Sequence, residues 1–404
     1  MLELLKSYWE TLPKDLAAQK AWDRFLAIGL PTRKTSAFQY LSLQKLGVLP
    51  PASRKKLERS DILPHILPEC SKGFLVFVDG FFEESLSCIP APLSVLSSDA
   101  ALLTYGLFLQ NRLARSLKEE QDPFAALNSV FQGRGAFLYA PPNCQMTSPI
   151  QVLHVFTLKE MATPRLQLYL GKRANLHLIQ TALYKEETHF VNGAIDCALD
   201  EGARLVVETV EEMPRETQNF QHFYASLKRD SHLKMLYFTK GSSLNRLAVK
   251  AQLCEENAEV DLRGLWSLSQ DLEAHVHATV EHLAPHTRSR QHFKGVLRDR
   301  SRSSFEGKIL VRPIAQKTEA YQLNNNLLLS DESAAHVKPN LEVFADDVKA
   351  SHGATITQLN KEDLFYLTSR GLNSELARTW LINGFCREFL EQLSLPNMSK
   401  YVQV

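Results

Sequence analysis

The chain has 404 residues, of which 44% are hydrophobic and 23% charged, as expected of a soluble globular protein with two or three folding units. Lys and Arg number 46 and Asp and Glu 45, so the chain lacks the basic excess that nucleic-acid-binding proteins carry. The 6 cysteines form no CxxC pair, which argues against a zinc ribbon or a disulfide framework. No apolar run reaches the roughly 18 residues that cross a bilayer. We therefore expect a cytoplasmic protein with no membrane or nucleic-acid partner.

The first third of the sequence is predicted to be mainly helical. Apolar residues recur at helical spacing in two segments near the N-terminus, around Trp9 and Trp22. Two further helices are predicted by their capping residues, at Ser98-Asp99 and at Asp122-Pro123. One strand-like run, residues 73–80, separates the two pairs of helices. Some β structure is therefore expected within a helical N-terminal region.

From about Phe137 the pattern changes to short runs in which apolar and polar residues alternate. Turn residues recur at intervals of roughly 8–12 residues, as they do in all-β folds. The pattern fits a sandwich, a barrel, a propeller or a β-helix, and it does not choose among them. The segment Asn324-Asn325-Asn326 leaves two interpretations open. Its amides either point inward and hydrogen-bond along stacked coils, or form a polar turn before a strand.

The C-terminal region returns to helix. Asn360 is predicted to cap a short helix and Asn373 a longer one. The longer helix carries an apolar stripe, which indicates either packing against the core or a docking face for a partner protein. The sequence thus divides into an N-terminal mainly helical domain, a β core and a C-terminal helical domain, with the boundaries 1–136, 137–357 and 358–404.

Motifs for nucleotide or acyl-transfer chemistry are missing. The sequence has no GxxxxGK[ST] motif and no GxSxG motif, so any ATP chemistry must belong to another subunit. The sharpest metal-like pattern is His275-Val-His277 followed by Glu281. On a strand these three side chains share one face, as the ligands of a cupin-type jelly roll do. The glycines that flank a cupin motif are missing, and solvent-facing strand histidines are the alternative interpretation.

His352 is a second candidate for metal chemistry. It precedes Gly353 near the end of the β region, where its imidazole is either exposed at a coil edge or part of a structural turn. Neutral imidazole is a competent iron ligand, and histidine replaces cysteine in some cluster sites.

The segment around His352 resembles the SufB/SufD family of iron–sulfur assembly proteins. The resemblance runs from Thr318-Glu-Ala-Tyr-Gln-Leu-Asn-Asn-Asn326 through Lys338-Pro-Asn-Leu-Glu342 to Ser351-His-Gly-Ala-Thr355 and Phe365-Tyr-Leu-Thr-Ser-Arg-Gly371. A further match at Asp122-Pro-Phe-Ala-Ala-Leu-Asn128 extends it over essentially the whole chain. The short helical N-terminus favours the SufD branch.

The resemblance implies a mainly β fold, with a right-handed parallel β-helix core between N-terminal α(/β) and C-terminal α-helical domains. It implies pairing with a SufB-like paralogue through the end of the β-helix, and docking of a SufC-like ATPase on the C-terminal helices. It also allows a homodimer of the isolated chain. His352 matches a histidine at the SufB–SufD junction, a candidate ligand for iron or for a transient iron–sulfur cluster shared with SufB. Ala350 stands where relatives often have cysteine, so a thiolate ligand would come from the partner.

The expected function is therefore a non-catalytic scaffold that supports iron entry and cluster formation at the subunit junction and binds no nucleotide itself. The residues expected to contact the ATPase lie in the C-terminal helices: Phe365, Tyr366, Arg370, Trp380 and Phe385. Two alternatives remain open. One is a cupin-type metal-dependent enzyme that uses His275, His277 and Glu281, and the other is a β-helix binding module without an ATPase partner.

Overall fold

The computed structural model describes residues 2–12, 16–32, 34–47, 50–131, 134–186 and 189–393. Its core is a parallel β-solenoid of about 8 turns, called the rod below, with helices at both ends of the chain. The mainly β fold and the β-helix that the resemblance implied are confirmed.

Two sheets form the long faces of the rod. The first sheet contains, in spatial order, β2 (Phe81–Phe82), β1 (Phe74–Val78), β5 (Ile150–Phe156), β8 (Asn175–Tyr184), β10 (Arg204–Glu211), β12 (His232–Thr239), β14 (Glu259–Leu268), β16 (Arg288–Leu297), β18 (Glu319–Leu328) and β20 (Lys349–Gln358). The second contains β3 (Ser94–Ser97), β4 (Ala136–Ala140), β7 (Arg165–Leu170), β9 (Phe190–Leu199), β11 (Gln218–Leu227), β13 (Leu244–Leu253), β15 (Glu273–His282), β17 (Arg302–Val311) and β19 (Ala334–Val343), with β6 (Met161–Ala162) beside β9. Both β1 and β3 belong to the N-terminal third of the chain, so this region contributes strands to both sheets.

Alternation of side chains sets the register between turns. Leu247 of β13 pairs with Val276 of β15, and both belong to the buried core between the sheets. A slip of one residue would move such a column to the outside, so the register is strongly specified. Corners of the rod are closed by left-handed residues such as Asp230 and His286, with φ of 57° and 59°. These corner residues explain the regular recurrence of turn signals in the sequence.

The N-terminal helices are α1 (Leu2–Thr11), α2 (Leu16–Ile28), α3 (Arg59–Ile62), α4 (Ser98–Glu119) and α5 (Pro123–Val130). The predicted helices around Trp9 and Trp22 are confirmed, and their indoles stack with ring centroids 5.2 Å apart. The α5 cap is Asp122, as predicted, whereas α4 is capped by Ser97, one residue before the predicted cap.

The C-terminal helices are α6 (Lys361–Ser369) and α7 (Ser374–Leu390), capped by Asn360 and Asn373 as predicted. One side of α7 packs on the first sheet, where Ile382, Cys386 and Phe389 are buried. No residue of α6 is buried. No described helix is long and apolar enough to span a membrane.

The three consecutive asparagines lie within β18, so the polar-turn interpretation is wrong. Asn324 and Asn326 point inward and are fully buried, and Asn326 Nδ2 donates to Asn324 Oδ1 at 2.6 Å. Asn324 Nδ2 donates to the Phe293 carbonyl of the preceding turn at 3.1 Å. The inward-amide interpretation is confirmed for Asn324 and Asn326, whereas Asn325 faces outward and contacts His292 and Thr355.

Candidate functional site

Within the described residues, the C-terminal end of the rod is open. The last strands, β19 and β20, each hydrogen-bond to a single neighbour, β17 and β18, so each presents an edge of main-chain donors and acceptors. Several apolar side chains are exposed at this end, among them Ile356 at 48%, Val343 at 39% and Phe344 at 59%. Exposed sheet edges with apolar side chains are sites at which another chain can add.

His352 lies at this open end, inside β20, and the structural-turn interpretation is wrong. Its register partner is Gln322 of β18, whose own partner in the preceding turn is Gln291. Gln291 and Gln322 are buried inside the rod, and Gln322 Nε2 donates to Gln291 Oε1 at 3.0 Å. His352 is thus the last member of an inward-facing column, and it is exposed because no described turn follows it.

Ala350 is on the same side of β20 as His352 and packs against a small apolar cluster at the end of the rod. Within the described residues no group of three or more His, Cys, Asp and Glu side chains could hold a metal ion. His352 therefore stands without companion ligands from the described part of this chain.

The predicted ATPase-contacting residues lie on two different surfaces. Phe365 and Tyr366 of α6 are 74% and 57% exposed, and Trp380 of α7 is 55% exposed. Arg370 is exposed and its guanidinium lies 5.2 Å from the centre of the Tyr366 ring. Phe385, in contrast, is half-buried where α7 meets the rod. We refer to the exposed side of α6 and α7 as the helical face.

Leu376 is a further apolar residue of the helical face, 42% exposed, that the predicted contact set omits. It lies four residues before Trp380 on α7, so the two side chains are neighbours on one side of the helix. Its i, i+4 spacing to Trp380 is the sequence signal that identifies it.

Glu388 holds α7 against the rod. Its carboxylate lies 3.0 Å from Lys294 Nζ, 3.4 Å from His292 Nδ1 and 3.5 Å from Arg263 Nη1. Burial alone would raise the pKa of Glu388, but the hydrogen bond from Lys294 and the charges of His292 and Arg263 hold that pKa below its ordinary value. Part of the basic stretch between residues 288 and 302 thus neutralises a carboxylate of the same chain.

A line of polar contacts runs from this cluster to β20. His292 Nε2 lies 3.0 Å from Asn325 Oδ1, and Asn325 Nδ2 donates to Thr355 Oγ1 at 2.8 Å. Thr355 is three residues from His352 on the same strand. The anchor of α7 and the strand that carries His352 are therefore joined by side chains in contact.

His275, His277 and Glu281 face the same side of β15, as predicted, but do not form a ligand set. His275 Nδ1 lies 2.7 Å from Ser304 Oγ, and its Nε2 lies 3.0 Å from Glu273. Glu281 accepts hydrogen bonds from Arg312. Burial and, to a smaller extent, the nearby charge of Arg246 lower the pKa of His277 to about 4. The jelly roll that the cupin alternative requires is wrong, because these strands run parallel in a solenoid.

Solvent-facing histidines are also the wrong interpretation for His275, which is 3% exposed. Residues 36–47, called the strap below, cross the outer side of the second sheet and cover it. Ser42 Oγ and Lys45 Nζ lie 2.5 Å and 3.1 Å from the Glu273 carboxylate. Farther along the strap, the Tyr40 ring stacks on His336 of β19 with centroids 4.4 Å apart.

Comparison with known proteins agrees with this architecture. Residues 155–385 match the family model described as the SUF system FeS cluster assembly SufBD core domain, and residues 15–152 match the SufBD protein N-terminal region. An iron–sulfur cluster assembly SufBD family protein of Synechocystis is 28% identical, over 94% of this chain and 87% of the relative. The iron–sulfur cluster assembly protein SufD of Escherichia coli is 26% identical, over 95% and 90%. Protein ABCI7, a chloroplastic protein of Arabidopsis thaliana, is 25% identical, over 96% and 84%. The rod, its flanking helices and these matches over nearly the full length show that the chain belongs to the SufBD family.

Proposed function

We propose that this chain is a non-catalytic scaffold subunit in iron–sulfur cluster assembly. It pairs with a SufB-like paralogue through the open end of the rod and docks a SufC-like ATPase on the helical face. Iron or a nascent cluster, the cargo of the complex, is held at the junction of the two rods with His352 as a ligand. The observation that carries the proposal is the place of His352, the last inward-facing side chain of its column at the open end of a SufBD-family rod.

Pairing through the open end is supported by its main-chain edges and its exposed apolar side chains. A second rod end can continue the sheets and bury Ile356 and Val343, which are 48% and 39% exposed. The double variant Ile356→Asp/Val343→Asp is expected to weaken pairing with the SufB-like chain at least about a hundredfold, because it would bury two unpaired charges. Leu103→Asp, at a 91% exposed position of α4, is the matched control. Equal affinities of both variants in calorimetry would contradict this interface.

The role of His352 is supported by the chemistry of its side chain and by the residues around it. Neutral imidazole binds iron, and Ala350 supplies no donor, so the other ligands must come from the partner. His352→Ala is expected to reduce cluster yield strongly in the reconstituted complex while pairing persists. His336→Ala removes another exposed histidine of the last turn and serves as control. A normal yield from His352→Ala, followed by the cluster's visible absorbance, would remove this residue from the proposal.

ATPase docking is supported by the aromatic side chains of the helical face and by the missing nucleotide motif. Trp380 and Phe365 are large exposed aromatics, the residue class that dominates binding energy at interfaces. Trp380→Ala/Phe365→Ala is expected to weaken ATPase binding at least about thirtyfold, since each such anchor contributes about 1–2 kcal/mol or more. Phe344→Ala, an exposed aromatic at the open end, should leave that binding intact. If the wild-type chain does not bind the ATPase, the chain is a β-helix binding module of another kind.

We also propose that force on α7 reaches the junction through Glu388, His292, Asn325 and Thr355. ATPase binding should then change hydrogen exchange of the β20 amides by about twofold to thirtyfold, which corresponds to coupling energies of about 0.5–2 kcal/mol. Thr355→Val keeps the shape of the side chain and removes its hydroxyl, and it should abolish this change without weakening ATPase binding. Thr357→Val on the same strand is the control. An unaltered response in Thr355→Val would exclude this route.

A further inference from the structure

Gln322 is the buried residue directly behind His352. It faces the interior from β18, is 3% exposed, and is the register partner of His352 on the adjoining strand. Neighbouring strands lie about 4.8 Å apart, so inward side chains at paired positions stack on each other. The amide of Gln322 therefore lies one strand behind the candidate cluster ligand.

Two contacts with other strands fix the position of the Gln322 side chain. Its Nε2 donates to Gln291 Oε1 at 3.0 Å, toward the preceding turn. Across the core it rests on Gly307 of β17, where the space that a Cβ would need is occupied by the Gln322 amide. A glycine at this point lets the amide reach across the rod. The side chain is thus cradled in a defined position.

One polar atom of this cradled side chain has no partner. Gln322 Oε1 is buried and accepts no hydrogen bond from the described residues. A buried carbonyl oxygen without a donor costs about 1–3 kcal/mol, so such an atom calls for an explanation, as does Gln291 Nε2, which is also buried without a partner among the described residues. The His352 imidazole, on the next strand and the same inward side, carries a ring N–H of the type that could satisfy Gln322 Oε1. Histidines that bind metals commonly donate their second ring N–H to an acceptor that fixes the tautomer.

We propose that Gln322 is a positioning residue for His352: when the exposed imidazole turns onto the Gln322 amide, Oε1 accepts the N–H of one ring nitrogen and leaves the other nitrogen unprotonated and directed out of the rod end. In the structure Gln322 Nε2 donates to Gln291 Oε1, which leaves Oε1 as the free atom of the Gln322 amide. This inference rests on the proposed role of His352 as a ligand, but the tautomer it specifies can be measured without iron or a partner.

The primary experiment is long-range ¹H–¹⁵N NMR of the His352 imidazole in the full-length chain above its titration range. One hydrogen bond of ordinary strength, about 1.4 kcal/mol, favours the bonded tautomer about tenfold. We expect this tenfold excess of one His352 tautomer in the wild type. Gln322→Met keeps the length of the side chain and removes the amide, so it should return the tautomer ratio to that of the unfolded chain. Gln322→Glu retains an acceptor and should preserve the excess.

The matched control is Asn326→Leu. Like Gln322, Asn326 lies on β18, points inward, is buried and has a side-chain carbonyl oxygen without a partner among the described residues. Its register partner, however, is Ile356 and not a histidine. It should leave the His352 tautomer unchanged. The inference is overturned if the His352 tautomer ratio of the wild-type chain equals that of the unfolded chain, a result that does not depend on any variant folding. It is also overturned if a folded Gln322→Met chain keeps the wild-type tautomer ratio.

Cluster assembly gives the second measurement. Loss of a partner that orients a metal-binding histidine costs about tenfold to a hundredfold in metal affinity, so Gln322→Met should lower cluster yield and Gln322→Glu should restore it. If the tautomer responds as expected and His352→Ala still assembles clusters normally, the positioning stands and the ligand role of His352 fails. The two failures are therefore distinguishable.

Discussion

Glu273 is expected to hold the strap to the rod. The carboxylate is 2% exposed and accepts hydrogen bonds from the Ser42 hydroxyl at 2.5 Å and from Lys45 at 3.1 Å, while His275 Nε2 lies 3.0 Å away. Burial alone would raise the pKa of Glu273, but the bond with His275 and the contacts of Ser42 and Lys45 lower it to about 2.

The magnitude follows from this pKa. A fall from 4.5 to about 2 corresponds to about 3 kcal/mol of stabilisation by the ionised carboxylate. Because the pKa is lower in the folded chain than in the unfolded chain, this stabilisation is complete above the unfolded pKa. It is lost as the pH falls from about 4.5 to about 2. Glu273→Gln should therefore cost about 2–3 kcal/mol at neutral pH and flatten the acid limb of the stability profile.

The assay combines urea denaturation with hydrogen exchange of residues 36–47, in which the variant should exchange faster. Glu281→Gln is the control, because Glu281 lies on the same strand and pairs with Arg312, whose side chain is 48% exposed. An ion pair with an exposed partner contributes about 1 kcal/mol or less. Equal losses of stability in the two variants, with unchanged exchange of the strap, would refute the idea that Glu273 anchors it.

Three further predictions concern the stability of the rod and of the N-terminal helices. Burial raises the pKa of Glu211 to about 7, so the folded chain loses stability as the pH rises from about 4.5 to about 7. Glu211→Gln should therefore restore up to about 3 kcal/mol of the free energy of unfolding, measured by denaturation at pH 8. Gly295→Ala should destabilise the chain by about 2 kcal/mol or more in the same assay, because its methyl group would collide with the Trp266 indole. Trp9→Ala removes the stacking partner of Trp22 and should cost about 3–5 kcal/mol, seen as faster hydrogen exchange in α2.

Local signals in the sequence were sufficient for the helices. Caps such as Asp122, Asn360 and Asn373 act on amides two or three residues away, so their effect can be deduced from the adjacent sequence. The rod is different, since Arg204 pairs with His232 and each strand finds its neighbour about one turn later. Alternation of apolar residues looks the same in a sandwich and in a solenoid. The family resemblance, and not periodicity, selected the β-helix.

The site residues also divide into those whose environment follows from adjacent sequence and those whose environment depends on distant segments of the chain. The common face of His275 and Glu281 follows from strand alternation and was predictable. The burial of His275 depends on Ser42, which binds the neighbouring Glu273 from 231 positions earlier in the chain, and no local pattern reveals it. The pairing of Glu388 with Lys294 likewise joins two segments far apart in sequence, so no local pattern reveals it.

In the proposed function the open end of the rod is an exchangeable junction, and the polar inward residues of the last turns suit that role. In the middle of the rod the inward column of Leu247 and Val276 is apolar, whereas the inward column of Asn219 and Asn245 is polar and hydrogen-bonded. An end built from apolar columns alone would expose a continuous hydrophobic core. Near the end the inward residues include Gln322, Asn324 and Asn326, which hydrogen-bond with one another or with the preceding turn. The hydrogen bonds among these amides order this end without a partner chain, and polar inward residues leave a smaller apolar area to be covered on pairing. The proposed function requires the junction to open for iron and to close again around a cluster. An end of this kind suits that cycle, because an interface that buried only hydrophobic core would cost more to separate each time.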